Sequence, residues 1–324
     1  MEFLQIISNN ILPLLTFMVI GYVLDMKCRL QVTALSKLTF FIVLPSFIFY
    51  SIYVVKLDMS MLYVFGIAMV QMFILGWIAS AVGKLRKFSP AKIETFKNGI
   101  MFCNNGNIGI ALIALVFSNA PYVVDGETPY LAAAGAAATM ALVQMNMSLN
   151  TLGLYQAGKG KLTARDALSV VFHMPVPYVI CGVFFIKWTG FDMTETFLWP
   201  VFQNSASALA AIVMTALGMQ IHKSKVSFSD IDGWIGCALR LIGGPAVGYG
   251  LVLAAGLAGI RLEPVVCQTI LIMSSVPSAV NSVLFAVEFH NHEDFATELI
   301  MMSTFLSCIT MTGTIYMARI LFPV

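Results

Sequence analysis

Ten apolar stretches of about 20 residues each dominate this chain and restrict the folds open to it. Inside the hydrocarbon core of a bilayer every backbone N–H and C=O must be hydrogen-bonded within the protein, so only helices and closed barrels span it. The stretches cover residues 4–24, 34–55, 59–83, 97–118, 130–155, 168–187, 199–219, 231–259, 264–288 and 296–320. We therefore predict an all-α integral membrane protein with ten transmembrane helices.

Charged residues are scarce and unevenly distributed. They make up 10% of the chain, against roughly 25% in soluble domains. Thirteen lysines and arginines lie in or beside the connections after the first, third, fifth and seventh stretches, and four lie on the opposite side. Because cytoplasmic loops are rich in Lys and Arg, we place both termini on the non-cytoplasmic side of the cell membrane. No basic patch with interleaved aromatic residues indicates a nucleic-acid partner.

Two polar, helix-breaking segments interrupt the fourth and ninth stretches. They are Asn104-Asn105-Gly106-Asn107-Ile108-Gly109 and Ser274-Ser275-Val276-Pro277-Ser278-Ala279-Val280-Asn281. Non-helical backbone at membrane depth is tolerated only where it is buried in protein or lines a cavity. Breaks at corresponding positions of two halves point to a transporter's binding site.

Ten spans divide into five plus five, and because five is odd the second half enters the membrane from the opposite side. We predict two inverted five-helix repeats, residues 1–155 and 168–324, joined by a cytoplasmic linker at residues 156–167. Pro13 with Gly21 in span one and Pro175 with Gly182 in span six give weak support for this repeat.

The broken spans predict an anion-binding site. A half-helix N-terminus exposes amide donors equivalent to roughly +0.5 elementary charge, and an anion is their natural ligand. The candidate residues are Asn104, Asn105, Gly106, Asn107, Gly109, Ser275, Pro277, Ser278 and Asn281. The alternative is that these side chains only satisfy the broken backbone and join helices together.

Arg240 lies about nine residues into the eighth span and is also a candidate. An arginine at this depth costs roughly 2.5 to 3.5 kcal/mol on insertion scales, so it must face a partner or a water-filled cavity. Two interpretations stay open: Arg240 attracts an anionic substrate, or it pairs with Glu288 at the inner end of span nine.

Motifs along almost the whole chain share the spacing of one family. They are Leu12-Pro13 through Gly21-Tyr22, Leu44-Pro45, Phe102 to Gly109, Ala216-Leu217-Gly218, Pro245, and Val276 to Phe289. In them the chain resembles the auxin efflux carrier family of membrane transporters, which includes bacterial malate or malonate permeases and the plant PIN carriers. It departs from the family's pattern at Asn107 and Ala111, so the break in span four rests on Gly106 and Gly109.

The resemblance implies a fold similar to that of bile acid sodium symporters, in which spans four and nine unwind and cross at the substrate. Spans 1, 2, 6 and 7 would form a scaffold, often a homodimer, and spans 3–5 and 8–10 a transport unit that moves like an elevator. The implied function is transport of a small organic anion, either a carboxylate or a dicarboxylate such as malate, malonate or an auxin-like acid. The alternative is a sodium-coupled symporter of a bile-acid-like or other amphipathic organic anion.

Polar side chains in spans five and ten leave sodium coupling open, although small polar residues also let helices approach closely. They are Thr139, Gln144, Asn146, Ser148, Asn150, Ser303, Ser307, Thr310 and Thr314. Apart from sodium, no cofactor or metal is expected. His173 in span six is interpreted as a packing residue rather than a proton relay. An intramembrane enzyme would need a nucleophile with a base, an Asp pair or a zinc-binding His cluster, and none is visible.

Overall fold

A computed structural model describes residues 12–28, 31–43, 45, 46, 49, 50, 53, 61–159, 175–223 and 230–324. Across these ranges the regular structure is helical and contains no strand, which confirms the all-α prediction. The α-helices are α1 Leu12–Cys28, α2 Val32–Leu38, α3 Leu62–Leu85, α4 Pro90–Met101, α5 Ile110–Phe117, α6 Leu131–Ser148, α7 Leu154–Lys159, α8 Val176–Thr189, α9 Trp199–Lys223, α10 Ile231–Ala238, α11 Gly244–Leu257, α12 Pro264–Ser274, α13 Asn281–Glu288 and α14 Glu293–Leu321.

Within the described ranges, three helices are long and apolar enough to cross a membrane. They are Leu62–Leu85, Ile231–Leu257 and Glu293–Leu321, and they fall on the predicted third, eighth and tenth spans. Ile231–Leu257 is α10 and α11 joined by one π-helical turn, Leu239–Gly243. The chain is thus a multi-pass membrane protein, while the number of ten spans and the division into repeats and a linker stay predictions.

The predicted breaks in spans four and nine are present, but span four begins earlier than expected. Its first half, α4, starts at Pro90 rather than near residue 97, and the Ser89 hydroxyl accepts a hydrogen bond from the Lys92 N–H at its N-terminus. Polar residues obscured this half-helix in the sequence because their partners lie on distant segments. Lys92 Nζ lies 2.7 Å from an Asp232 carboxylate oxygen, and Asn98 Nδ2 donates to the Gly153 carbonyl at 2.9 Å.

Helices α1 and α9 pack backbone to backbone through two glycines. A Cβ placed on Gly21 would lie 2.0 Å from the Thr215 carbonyl oxygen, and one on Gly218 would lie 1.9 Å from the Met18 carbonyl oxygen. Gly182, which the sequence suggested as the counterpart of Gly21, has no described atom within 4 Å of such a Cβ. The two glycines therefore have different packing roles, and this part of the sequence argument for a repeat carries no weight.

Most of the buried core surrounds the half-helices that flank the breaks. Helices α3, α6 and α14 pack against α4 or α12, so the two interrupted segments are enclosed by continuous ones. This position keeps the interrupted backbone away from lipid, as unpaired peptide groups require.

Candidate functional site

The two interruptions meet each other through their backbones. The Asn104 N–H donates to the Pro277 carbonyl at 2.8 Å, and the Ala279 N–H donates to the Phe102 carbonyl at 2.9 Å. These bonds form an isolated antiparallel bridge between Cys103 and Ser278. The structure therefore brings the two predicted segments together into one crossing, defined here as residues 102–109 and 274–281.

Two half-helix N-termini lie at this crossing. One starts with a π-helical turn, Asn105–Gly109, in which the Asn104 carbonyl accepts hydrogen bonds from the N–H groups of Ile108 and Gly109 at 3.0 and 3.2 Å. The other is the start of α13 at Asn281. Such ends leave backbone donors without intrahelical partners.

Three of those donors are open. The backbone N–H groups of Gly106, Val280 and Asn281 have no hydrogen-bond partner in the described part of the chain. Gly106 and Asn281 are also partly exposed, whereas their neighbours in the crossing are mostly buried. The crossing thus offers amide donors at positions that a ligand can approach.

The four asparagines at the crossing differ in their bonding. Asn104 is 5% exposed, and its Nδ2 is buried without a hydrogen-bond partner in the described part of the chain. The Asn281 side chain, partly exposed, makes no hydrogen bond to the described residues. Asn105 is bonded on both sides, since its Nδ2 donates to the Ala141 carbonyl at 3.4 Å and its Oδ1 accepts from the Cys103 thiol at 3.1 Å. The Asn107 side chain lies outside the described residues.

The serines of the second interruption hold the backbone in place. The Ser275 hydroxyl donates to the Ile272 carbonyl at 2.7 Å, and the Ser278 hydroxyl donates to the Gly99 carbonyl at 2.6 Å. Pro277 is buried and contributes its carbonyl to the bridge. Gly109 allows the two segments to pack closely, because a Cβ there would lie 2.9 Å from the Met273 sulfur. The contacts of these residues, and those of Asn105, are the ones expected if the side chains satisfy the broken backbone and join helices together.

Arg240 binds the C-terminal ends of the two other half-helices. Its Nη1 donates to the Ile100 carbonyl at 2.9 Å, its Nη2 donates to the Ser274 carbonyl, and the residue is 1% exposed. The proposed pairing with Glu288 is wrong, since no ion pair joins Arg240 to a described carboxylate. Carbonyls at a helix C-terminus carry partial negative charge, so they replace the carboxylate as the partner of the guanidinium.

Gln71 was missed by the sequence analysis. Its Nε2 donates to the Gly244 carbonyl at 2.8 Å, and its Oε1 accepts from the Ser274 hydroxyl at 3.0 Å. It thereby joins α3 to the eighth and ninth spans at the point where Arg240 also bonds. The available signal was an amide side chain in the middle of the apolar helix Leu62–Leu85.

A cavity of about 40 Å³ lies beside these C-terminal ends. Its polar lining includes Gln71, Asn105, Gln144, Arg240 and Ser274. Since one water needs roughly 10 to 15 Å³ of such space, the cavity has room for a few waters and not for a dicarboxylate.

The hydroxyls along span ten donate to carbonyls of their own helix, and the Ser303 hydroxyl also accepts a hydrogen bond from the Ser278 N–H of the crossing at 3.3 Å. Ser303, Ser307 and Thr314 donate to the carbonyls of Ile300, Thr304 and Thr310 at 2.9, 2.7 and 2.9 Å. Among the described residues there is no group of three or more His, Cys, Asp or Glu side chains placed to hold a metal ion. His173, interpreted above as a packing residue, lies outside the described residues.

Comparison with known proteins shows what this chain is similar to. Residues 179–315 match a family described as Membrane transport protein. Over 318 residues the chain is 22% identical to an uncharacterized transporter from Methanothermobacter thermautotrophicus, a match that covers 94% of this chain and 96% of that protein.

Proposed function

We propose that this chain is a membrane transporter of the auxin efflux carrier family and that it moves a small organic anion across the membrane; the matched family model and the similar transporter support this assignment. In the proposal the carboxylate of the substrate binds at the crossing of spans four and nine. The substrate class is a carboxylate or dicarboxylate of the size of malate, malonate or an auxin-like acid.

One observation carries this proposal: open donors from two half-helices meet at one place. The backbone amides of Gly106, Val280 and Asn281 are unpaired among the described residues. Asn104 lies two residues before Gly106, and its buried Nδ2 also has no described hydrogen-bond partner. An unsatisfied buried donor is costly, and a ligand carboxylate with two acceptor oxygens removes that cost. Because the donors are neutral, they bind a carboxylate without the strong attraction of a buried charge, which suits a carrier that must also release it.

Matched positions in the two halves support an architecture of inverted repeats. Both first half-helices, α4 and α12, begin with a proline. Ile100 and Ser274, whose carbonyls share Arg240, each follow that proline by ten positions (100 − 90 and 274 − 264). We propose residues 1–155 and 168–324 as the two repeats on this basis.

We further propose an elevator-type motion of this crossing against a scaffold. The scaffold would comprise spans 1, 2, 6 and 7, and its support is the backbone contact of α1 with α9 through Gly21 and Gly218. Helix α13 contacts α2, so the substrate end of the crossing borders the scaffold. Location in the cell membrane, both termini outside the cytoplasm and dimerisation through the scaffold belong to the same proposal.

Binding to the purified protein tests the function directly. We expect one or more small mono- or dicarboxylates to raise the melting temperature, since a ligand that binds only the folded form stabilises it by mass action. In Asn104→Ala and Asn281→Ala, loss of a hydrogen bond to a charged group is expected to weaken binding about tenfold or more.

Thr312→Ala is the matched control, because the Thr312 hydroxyl donates only within its own helix, to the Cys308 carbonyl at 2.8 Å. Uptake of the best ligand into proteoliposomes should be reduced in the two asparagine variants and unchanged in Thr312→Ala. Unchanged uptake in both asparagine variants would remove the proposed site.

A further inference from the structure

We propose that Arg240 is a built-in cation of the crossing: it occupies the position where a coupling ion would otherwise bind, so the chain binds substrate without sodium. The inference deepens the proposed transport function and rests on it. The sequence left open whether transport of the anion is coupled to sodium, and this inference favours transport without sodium.

The geometry around Arg240 is that of a cation between two helix ends. Its two terminal nitrogens reach the Ile100 carbonyl in the last turn of α4 and the Ser274 carbonyl at the end of α12. The C-terminus of each half-helix is equivalent to roughly −0.5 elementary charge, so two of them attract about one positive charge. In carriers with discontinuous helices, such C-terminal ends and unwound carbonyls coordinate the coupling cation.

The charge of Arg240 is committed to these carbonyls. The side chain is 1% exposed, and within the described ranges no carboxylate lies within ion-pair distance of it. The Nε donor is buried and has no hydrogen-bond partner among the described residues, and Arg240 lines the cavity of about 40 Å³. The guanidinium therefore compensates the partial negative charge of both helix ends. Among the described residues, no carboxylate remains there to attract an inorganic cation.

The surrounding residues are shaped around the guanidinium. A Cβ on Gly244 would lie 2.6 Å from the Ser274 carbonyl oxygen and 2.8 Å from Arg240 Nη2. A Cβ on Gly248, one turn further, would lie 2.4 Å from the Ser274 hydroxyl. Arg240 itself stands in the π-helical turn Leu239–Gly243, and such turns are frequent at functional sites. Glycine at both positions lets the end of α12 and the guanidinium share one narrow space.

The first test uses the wild-type protein without substrate. Its melting temperature should agree within about 1 °C in sodium, potassium and choline chloride at equal ionic strength, because filling a specific cation site would add several degrees. A selective rise in sodium overturns the proposal. Since no substrate is present, this result is independent of whether the proposed anion site exists.

The second test removes the guanidinium. Arg240→Ala should melt lower than wild type, and methylguanidinium or sodium should raise the melting temperature of the variant while leaving that of wild type unchanged. Equal melting of variant and wild type, or no selective effect of either cation on the variant, contradicts the proposal.

Arg240→Lys covers the case in which the alanine variant cannot be purified. It keeps a positive charge but replaces the two-headed fork with a single ammonium. It should melt lower than wild type and remain insensitive to sodium. A melting temperature that rises selectively with sodium in this variant would show that charge at position 240 does not replace the ion.

Discussion

Gln71 and Arg240 occupy the same position of two helices and bond to the same residue. Each is the tenth residue of its apolar helix, counted from Leu62 (71 − 62 + 1) and from Ile231 (240 − 231 + 1). Gln71 accepts a hydrogen bond from the Ser274 hydroxyl, and Arg240 donates to the Ser274 carbonyl. The end of α12 is therefore held from both sides by one amide and one guanidinium.

Gln71→Leu should destabilise the protein. The change leaves the Gly244 carbonyl without the Gln71 donor and the Ser274 hydroxyl without one acceptor, at a cost of about 1 to 3 kcal/mol. The measurement is the melting temperature in detergent. Phe73→Leu is the control, because Phe73 lies two residues away on the same helix but is 55% exposed. Equal melting of the two variants would show that the Gln71 contacts contribute little.

Gly244→Ala should impair the protein more than Gly250→Ala. The new methyl group at position 244 overlaps the Ser274 carbonyl and the Arg240 guanidinium, whereas a Cβ at Gly250 meets nothing within 4 Å. Overpacking of this kind costs about 1 to 3 kcal/mol. Both variants gain the same helix propensity, so the difference between their melting temperatures isolates the crowding at Arg240. A Gly244→Ala protein as stable as Gly250→Ala would contradict the close packing described.

Gly21→Ala and Gly218→Ala should each separate α1 from α9. A Cβ at either position would lie about 2 Å from a backbone oxygen of the other helix, which cannot rotate away as a side chain can. We expect a loss at or above the upper end of the 1 to 3 kcal/mol range for overpacking, seen as low yield and a lowered melting temperature. Gly182→Ala, in open space, should behave as wild type.

Asp25 forms a contact between the ends of α1 and α9 that we expect to weaken in acid. Asp25 is 3% exposed, and its carboxylate lies 2.7 Å from His222 Nδ1 and 3.2 Å from Lys223 Nζ. Burial raises the pKa of Asp25, but hydrogen bonds and charge attraction from His222 and Lys223 outweigh it, so the net pKa is lowered. The contact therefore stabilises the fold fully above the unfolded-state pKa of about 3.9 and is lost as pH falls through the lower folded-state pKa.

The measurement for this contact is the melting temperature of wild type and Asp25→Asn as a function of pH. At neutral pH the variant should be less stable by roughly 1 kcal/mol, the upper value for partly exposed ion pairs. The difference should shrink as the pH falls below about 4. A constant difference across this range would mean that the charge of Asp25 contributes nothing.

The sequence predicted the all-α fold and the two interruptions because both depend on local chemistry. Apolar length indicates a membrane helix, and Gly106, Gly109 and Pro277 indicate where such a helix is interrupted. The asparagines at positions 104 and 281 remain the best candidates for a ligand, since neither has a side-chain hydrogen bond in the described structure.

The partners of Arg240 and Gln71 were not predictable in the same way. Both residues bond to carbonyl groups, and every residue has one, so no side-chain pattern marks Ile100, Ser274 or Gly244 as a partner. The early start of α4 was missed for a related reason, because the ion pair of Lys92 with Asp232 links residues 140 positions apart. Contacts of this range become visible only in three dimensions.

The bridge between Cys103 and Ser278 is made by main-chain atoms alone. The two hydrogen bonds of the join therefore use no side chain of either interrupted segment. Under the proposed function, a change of cargo would alter the amides and hydroxyls around this join and keep the same pair of coupled half-helices.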